Sequence, residues 1–243
     1  MRQWFAPDAM IHQCFFREDQ AQQLFPAPPY RGFGLEPDVN PDLTRVCPEL
    51  EHPAVRLALV EYAAMLYHWR NPDSDHDPWI GFTSYRQLTK STFQFRDSAQ
   101  VADLLQQAQL LSWGVWDLRR QRLHWLTGAA AQAEIASPLL HRFTVDVLAA
   151  FDIKVPPAYF AGAAVPLANY WAMRRDRFEA YMLWSWPIVK HALAIDHPYK
   201  RESPVLAGID QRKAVGYFAE RLFAIWAMRE GLQMMALGEV KIA

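Results

Sequence analysis

Between residues 166 and 222 the chain sets polar groups among aromatics: Asn169, Glu179, Trp184 and Trp186, then Arg212, Gly216, Tyr217, Glu220 and Arg221. Asn169 lies in the otherwise apolar run 165–173. An amide buried there must find partners, so it either holds a ligand hydroxyl or ties down a neighbouring loop. Glu179 could orient a sugar hydroxyl, while Trp184 and Trp186 on the same segment fit a core, where large aromatics usually reside. Arg212 stands near the start of a helix, where the backbone dipole favours an anion, and would pair naturally with a diphosphate. The plainer alternative is a ladder of intrahelical ion pairs, although Glu220 and Arg221 are adjacent and point in different directions. Gly216, between Arg212 and Glu220, suggests a close backbone approach. Together these groups suit a polar, phosphate-bearing ligand.

A second group lies upstream. Tyr85 and Arg86 directly follow the apolar run 79–83, which reads as a strand. Ligands of open α/β sheets collect outside the carboxyl ends of strands, so this pair could stack on a base and contact phosphate. A surface arginine pairing locally is the alternative. Asp73, Asp75 and Asp77 alternate and invite a metal reading. Pro78, however, stands where a calcium loop of the EF-hand type needs glycine, and the run precedes a strand, so a solvated acidic turn fits better. No G-x-S-x-G, H-E-x-x-H, Walker or G-x-G-x-x-G pattern occurs, which removes hydrolase-elbow, zincin, P-loop and dinucleotide readings.

The elements that must position these residues follow from periodicity. Strands are predicted at 10–16, 79–83, 113–117 and 170–173, the last reaching back to Asn169. Helices are predicted over 53–67, 97–108, 129–136, 139–151, 175–193 and 210–229, with Pro53 in a first turn. Residues 26–53, rich in Pro and Gly, read as a long surface loop. This order implies an α/β layered fold. The 243 residues suffice for one domain, 1–243. A net charge of −1 gives no overall attraction to nucleic acid. Cys14 and Cys47 form no C-x-x-C motif and no disulfide framework, so a reducing cytoplasm is expected. The N-terminus lacks the apolar core of a secretion signal, and no window approaches about 18 apolar residues. Peripheral contact with a membrane surface is left open.

Three patches resemble a bacterial family of glycosyltransferase-like proteins from capsular and O-antigen polysaccharide clusters. They are Glu61-Tyr62-Ala63-Ala64-Met65-Leu66-Tyr67-His68-Trp69 with Ile80-Gly81-Phe82-Thr83-Ser84-Tyr85-Arg86; the stretch from Asn169 through Phe178, Tyr181 and Trp184 to Ile188; and Gly216-Tyr217-Phe218-Ala219-Glu220-Arg221-Leu222 with Arg212 before it. The resemblance implies a GT-A-like Rossmann-type fold, a mixed, mostly parallel sheet flanked by helices. It implies transfer of a hexose from a nucleotide-sugar donor to a glycan or lipid-linked glycan acceptor. On that reading Arg86 and Arg212 hold the diphosphate, Tyr85 packs on base or ribose, Asn169 and Glu179 meet sugar hydroxyls, and Tyr217, Glu220 and Arg221 complete the donor site. Glu134 is the candidate general base, the alternative being an exposed helix carboxylate. The chain departs from the family at Ser84, where the family has His, and at Gln87, where it has a second Arg. No D-x-D follows a central strand, so a divalent Mg or Mn ion is compatible with the reaction but has no sequence motif, and arginine and lysine could neutralise the diphosphate instead. A catalytically inactive carbohydrate-binding module on the same fold is the first alternative. The second is a protein-interaction module, which predicts an exposed apolar patch along 175–193.

Overall fold

The computed structural model describes residues 9–72, 77–93, 98–117, 138–155, 164–166, 168–202 and 213–238. Its strands are β1 (Ala9–Phe15), β2 (Tyr30–Gly34), β3 (Trp79–Ser84), β4 (Leu110–Ser112), β5 (Val115–Asp117), β6 (Ala164–Pro166), β7 (Trp171–Arg174) and β8 (Met234–Ala236). Its helices are α1 (Glu18–Ala21), α2 (Asp42–Val46), α3 (Pro53–Leu59), α4 (Glu61–Arg70), α5 (Gln87–Lys90), α6 (Ser98–Gln107), α7 (Pro138–Ala149), α8 (Arg175–Ala194), α9 (Pro198–Glu202) and α10 (Lys213–Arg229). Six strands form one sheet in the order β2-β1-β3-β7-β4-β8. β2, β1 and β3 are parallel, and so are β4 and β8; β7 runs antiparallel to both its neighbours. β5 and β6 pair separately. The fold is therefore α/β with a mixed, mostly parallel sheet.

Successive strand residues point to opposite faces, and both faces of this sheet are covered. Ile80 and Phe82 of β3, Leu110 of β4, and Trp171 and Met173 of β7 enter the larger core with α4, α8 and α10. Ile11, Trp79, Leu111 and Ala172 enter a second core with Val101 and Leu105 of α6. Every residue of β3 is consequently buried, as expected of a strand between two helical layers.

Two expectations are corrected. Residues 26–53 are not a surface loop: they contain β2, α2 and the 3₁₀ turn Pro48–Leu50, and Leu35, Leu43 and Leu50 are fully buried. The helix expected over 53–67 is two helices. Pro53 does occupy the first turn, capped by His52, whose Nδ1 accepts from the Ala54 amide at 3.1 Å. The chain then breaks at Val60, with φ 48° and ψ −118°. A β-branched residue at positive φ is strained, and tertiary packing must hold it there. Residues 129–136 lie outside the described residues, as do Asp73 and Asp75. α8 matches its expected span, but the apolar patch predicted by the interaction-module reading does not form. Phe178, Tyr181, Met182, Trp186, Ile188 and Val189 are buried, Trp184 is half-buried beneath the Arg229 guanidinium at 5.6 Å, and Leu183 alone among the helix's large apolar side chains is well exposed, at 69%. No described helix is long and apolar enough to cross a membrane.

The α4 C-terminus is anchored by a two-pronged ion pair from Arg70 to Glu49, at 2.5 and 2.7 Å. Arg70 also covers the Trp186 ring at 5.4 Å. Hydrogen bonding from Arg70 holds the Glu49 carboxyl below its ordinary value of 4.5. A carboxyl lowered in the folded state contributes stability that is present above its unfolded value and lost as pH falls through the folded one. Glu49→Gln should therefore cost about 1 kcal/mol at pH 7, with the difference from the parent shrinking as the pH is lowered below 4.5. Urea denaturation of both proteins across that range measures this.

Candidate functional site

Three parallel strands end at the same edge of the sheet. Register places Cys14 of β1 beside Ser84 of β3, and Phe15 beside Gly34 of β2. Because β7 is antiparallel, it begins at that edge, with Trp171 opposite Phe82. The segments outside the edge are Phe16-Arg17-Glu18, Glu36 to Asp38, Tyr85-Arg86, and the turn Ala168-Asn169-Tyr170. They surround a cavity of about 1090 Å³, closed on another side by Leu57, Ala58, Val60 and Glu61 from the α3–α4 junction and by Gly216, Tyr217 and Glu220 of α10. This is where open α/β sheets receive ligands, and the volume suits one.

The helical wall depends on one small residue. A Cβ added at Gly216 would stand 2.1 Å from the Ala58 carbonyl oxygen, so α10 reaches α3 this closely only with glycine there.

The cavity has two chemically different parts. At the rim, Arg86 and Lys90 are exposed, the Arg86 guanidinium lies 5.6 Å from the Tyr85 ring centre, and Arg17 pairs with Asp19 at 2.9 Å while still lining the cavity. At the floor, the Tyr170 hydroxyl and Ser84 Oγ are 2.5 Å apart and both residues are buried. Ser84 Oγ also accepts from the Arg86 amide at 3.3 Å, which ties floor to rim. Burial pushes the Tyr170 phenol well up, the negative charge of Glu61 raises it further, the Ser84 hydrogen bond opposes, and Glu220 and Cys14 add to the rise. Two carboxylates from different helices thus act on one hydroxyl. The Cys14 thiol is raised well above its ordinary value by burial and then by Glu61, and burial takes Cys47 up to about 11. Neither is a thiolate at neutral pH. The Tyr217 phenol is raised by burial and then by Glu220.

Of the residues expected from sequence, Tyr85, Arg86, Tyr217 and Glu220 meet around this cavity. Asn169 is beside it but does not line it: it sits in a turn with φ 52°, not in a strand, is 3% exposed, and its Oδ1 has no hydrogen-bond partner among the described residues. Glu179 is exposed on α8 and does not line the cavity. Arg221 is fully buried, with its guanidinium donating to the Tyr217 carbonyl one turn back, so it braces α10 and does not line the cavity. Arg212 and Glu134 lie outside the described residues. The departures at Ser84 and Gln87 have local partners: Ser84 bonds Tyr170, and Gln87 Oε1 accepts from Thr83 Oγ1 at 2.6 Å. Among the described residues no three His, Cys, Asp or Glu side chains converge to hold a metal ion.

Arg17, Glu61, Lys90 and Tyr170 were not singled out from sequence. Applying the strand-end rule to residues 10–16 as well as 79–83 would have pointed to Arg17. Glu61 heads one of the three patches that carry the family resemblance but reads there only as a helix residue.

The same architecture occurs in WbbM. The apo structure of that bifunctional glycosyltransferase superposes with a TM-score of 0.64, covering 97% of this chain and 46% of WbbM at 13% identity. The chain thus spans about half the length of WbbM, and identity this low makes the likeness one of fold. The mixed, mostly parallel sheet flanked by helices is the fold that this chain shares with WbbM. No family model matches the sequence, and no curated protein matches it.

Proposed function

We propose that the protein is a glycosyltransferase that moves a sugar from a nucleotide-sugar donor to a glycan or lipid-linked glycan acceptor in surface polysaccharide synthesis. The observation that carries this reading is the cavity at the carboxyl ends of β1, β2 and β3, with Arg86, Lys90 and Arg17 on its rim and paired hydroxyls on its floor. The fold shared with WbbM supports it, and the pathway rests on the three sequence patches. In the reaction the acceptor oxygen bonds to the anomeric carbon, the bond from that carbon to the diphosphate oxygen breaks, and its electron pair leaves with the diphosphate. The acceptor proton passes to a carboxylate, for which Glu134 is the candidate. Arg86 and Lys90 neutralise charge that builds on the leaving group, a contribution that grows as water is excluded. Tyr85 offers a ring on which a base can pack. A bound Mg or Mn ion would add charge neutralisation of the same kind, but the described residues offer no donor set for it.

A thermal-shift panel of UDP-, GDP-, CMP- and dTDP-linked sugars tests the proposal, since a ligand that binds only the folded state raises its melting temperature. At least one donor should stabilise the protein. Arg86→Ala should weaken that donor at least about tenfold, the lower end for a lost charge-assisted hydrogen bond, without lowering the melting temperature of the free protein. Stabilisation by none of the four classes would overturn the reading.

A further inference from the structure

Resting on that reading, we infer that Glu36 binds neighbouring hydroxyls of the donor and that the buried Arg56 holds it in place to do so. Glu36 lies two residues beyond β2, at the carboxyl edge of the sheet, and lines the cavity. Its backbone and its side chain are both fixed. Leu35 before it is fully buried, with its amide donating to the Phe15 carbonyl at 2.8 Å. The Glu36 carbonyl accepts from the amides of Val39 and Asn40 at 3.0 and 2.9 Å. Arg56, 5% exposed on α3, donates through one terminal nitrogen to the Leu50 and Glu51 carbonyls at 2.6 and 2.8 Å, and through the other to Glu36 Oε2 at 2.7 Å.

Comparison with another ion pair of the fold shows what is particular here. Glu49 gives both carboxylate oxygens to Arg70 and does not line the cavity, so that pair serves the fold alone. Arg56 instead takes one oxygen of Glu36, whose side chain stays 28% exposed. An ionised carboxylate offers about four acceptor positions, and one held in this way keeps positions for a ligand. It also spares the entropy lost when a loose side chain is immobilised on binding. Acceptors call for donors, and on a nucleotide sugar these are hydroxyls. β1 lies between β2 and β3, so the strands that lead to Glu36 and to Arg86 are about 10 Å apart at the usual spacing. A diphosphate on the rim cations carries a nucleoside on one side and a sugar on the other, and either brings hydroxyls across such a distance. The two sources share one chemistry, and deoxy ligands tell them apart.

Calorimetry on the purified chain supplies the test, with UDP, GDP and CMP, their 2′-deoxy and 3′-deoxy forms, and UDP-glucose, UDP-galactose, GDP-mannose and dTDP-glucose as ligands. If the hydroxyls belong to ribose, the parent should bind a nucleotide at least about tenfold more tightly than one of its deoxy forms, and Glu36→Gln should bring the two within about threefold. If they belong to the sugar, Glu36→Gln should weaken the sugar donor at least about tenfold while free nucleotide stays within about threefold of the parent. A purely structural role for Glu36 moves neither ratio. Should Glu36→Gln melt more than about 10 °C below the parent, Glu36→Asp carries the same comparison, since it keeps a charge opposite Arg56 and draws the carboxylate back by one methylene. Affinities that show neither pattern overturn the inference and leave the nucleotide-sugar reading standing. Failure of every nucleotide and donor to bind overturns both.

Discussion

Trp171→Ala should lower the stability of the protein by about 3–5 kcal/mol, the usual loss on truncating a large buried aromatic. Trp171 is fully buried at the start of β7, stacked on Phe223 with centroids 4.5 Å apart and planes 10° from parallel. Tyr181 meets it edge-on at 6.1 Å and Phe82 at 5.3 Å. One ring therefore joins β3, β7, α8 and α10. For a chain of this size each kcal/mol moves the melting temperature by about 2–4 °C, so the expected drop is about 10 °C. Trp171→Phe makes an informative control. The indole N–H has no hydrogen-bond partner among the described residues, so removing it along with part of the ring should cost much less than removing the whole side chain. Calorimetric melting that finds the two variants equal would mean that the stacked contacts contribute little.

Gly216→Ala should also destabilise, by about 2–3 kcal/mol, although in an exposed helix the same change would gain about 1 kcal/mol through propensity. The new methyl would lie 2.1 Å from the Ala58 oxygen, over 1 Å inside contact distance, and the obstacle is backbone, which no rotamer change relieves. Overpacking of this kind costs about 1–3 kcal/mol and occasionally more, and here it exceeds the propensity gain. Ala58 and Gly216 both line the cavity. Donor affinity should consequently fall in the same variant, whereas Trp171→Phe should leave it nearly unchanged. A Gly216→Ala protein as stable as its parent, by urea titration, would show that α3 and α10 can part without cost.

Periodicity revealed the longer elements because their apolar spacing matches the layers they join: β3 and α8 were legible almost to the residue. β2 was not. Its sequence, Tyr30-Arg31-Gly32-Phe33-Gly34, carries two glycines and so little strand propensity. Cβ atoms at those glycines would stand 2.7 Å from Leu24 and 2.5 Å from Val39, so the feature that hides the strand is a consequence of its packing. β4 and β8 have three residues each, too few to show a period. The break at Val60 has no local signal, since neither Gly nor Pro marks it; packing at the α3–α4 junction imposes it.

The site divides in the same way. Tyr85 and Arg86 could be found because a strand end is a sequence-level landmark. Tyr217 and Glu220 followed from a motif. Glu61 could not be found by either route, because it comes together with Cys14 and Tyr170, which are distant in sequence, only around the folded cavity. Asn169 was placed in a strand because its neighbours are apolar, but the positive φ values of Ala168 and Asn169 form the turn that brings Tyr170 to Ser84.

The wall supplied by Gly216, Tyr217 and Glu220 also bears on the order in which the molecule becomes competent. During synthesis Cys14, Ser84 and Tyr170 leave the ribosome long before α10 does, and without α10 the pocket lacks a side. A chain emerging residue by residue therefore has no complete ligand site until α10 docks on α3. Ligand present at that moment would bind only chains in which α10 has docked and, by mass action, hold that docking step closed.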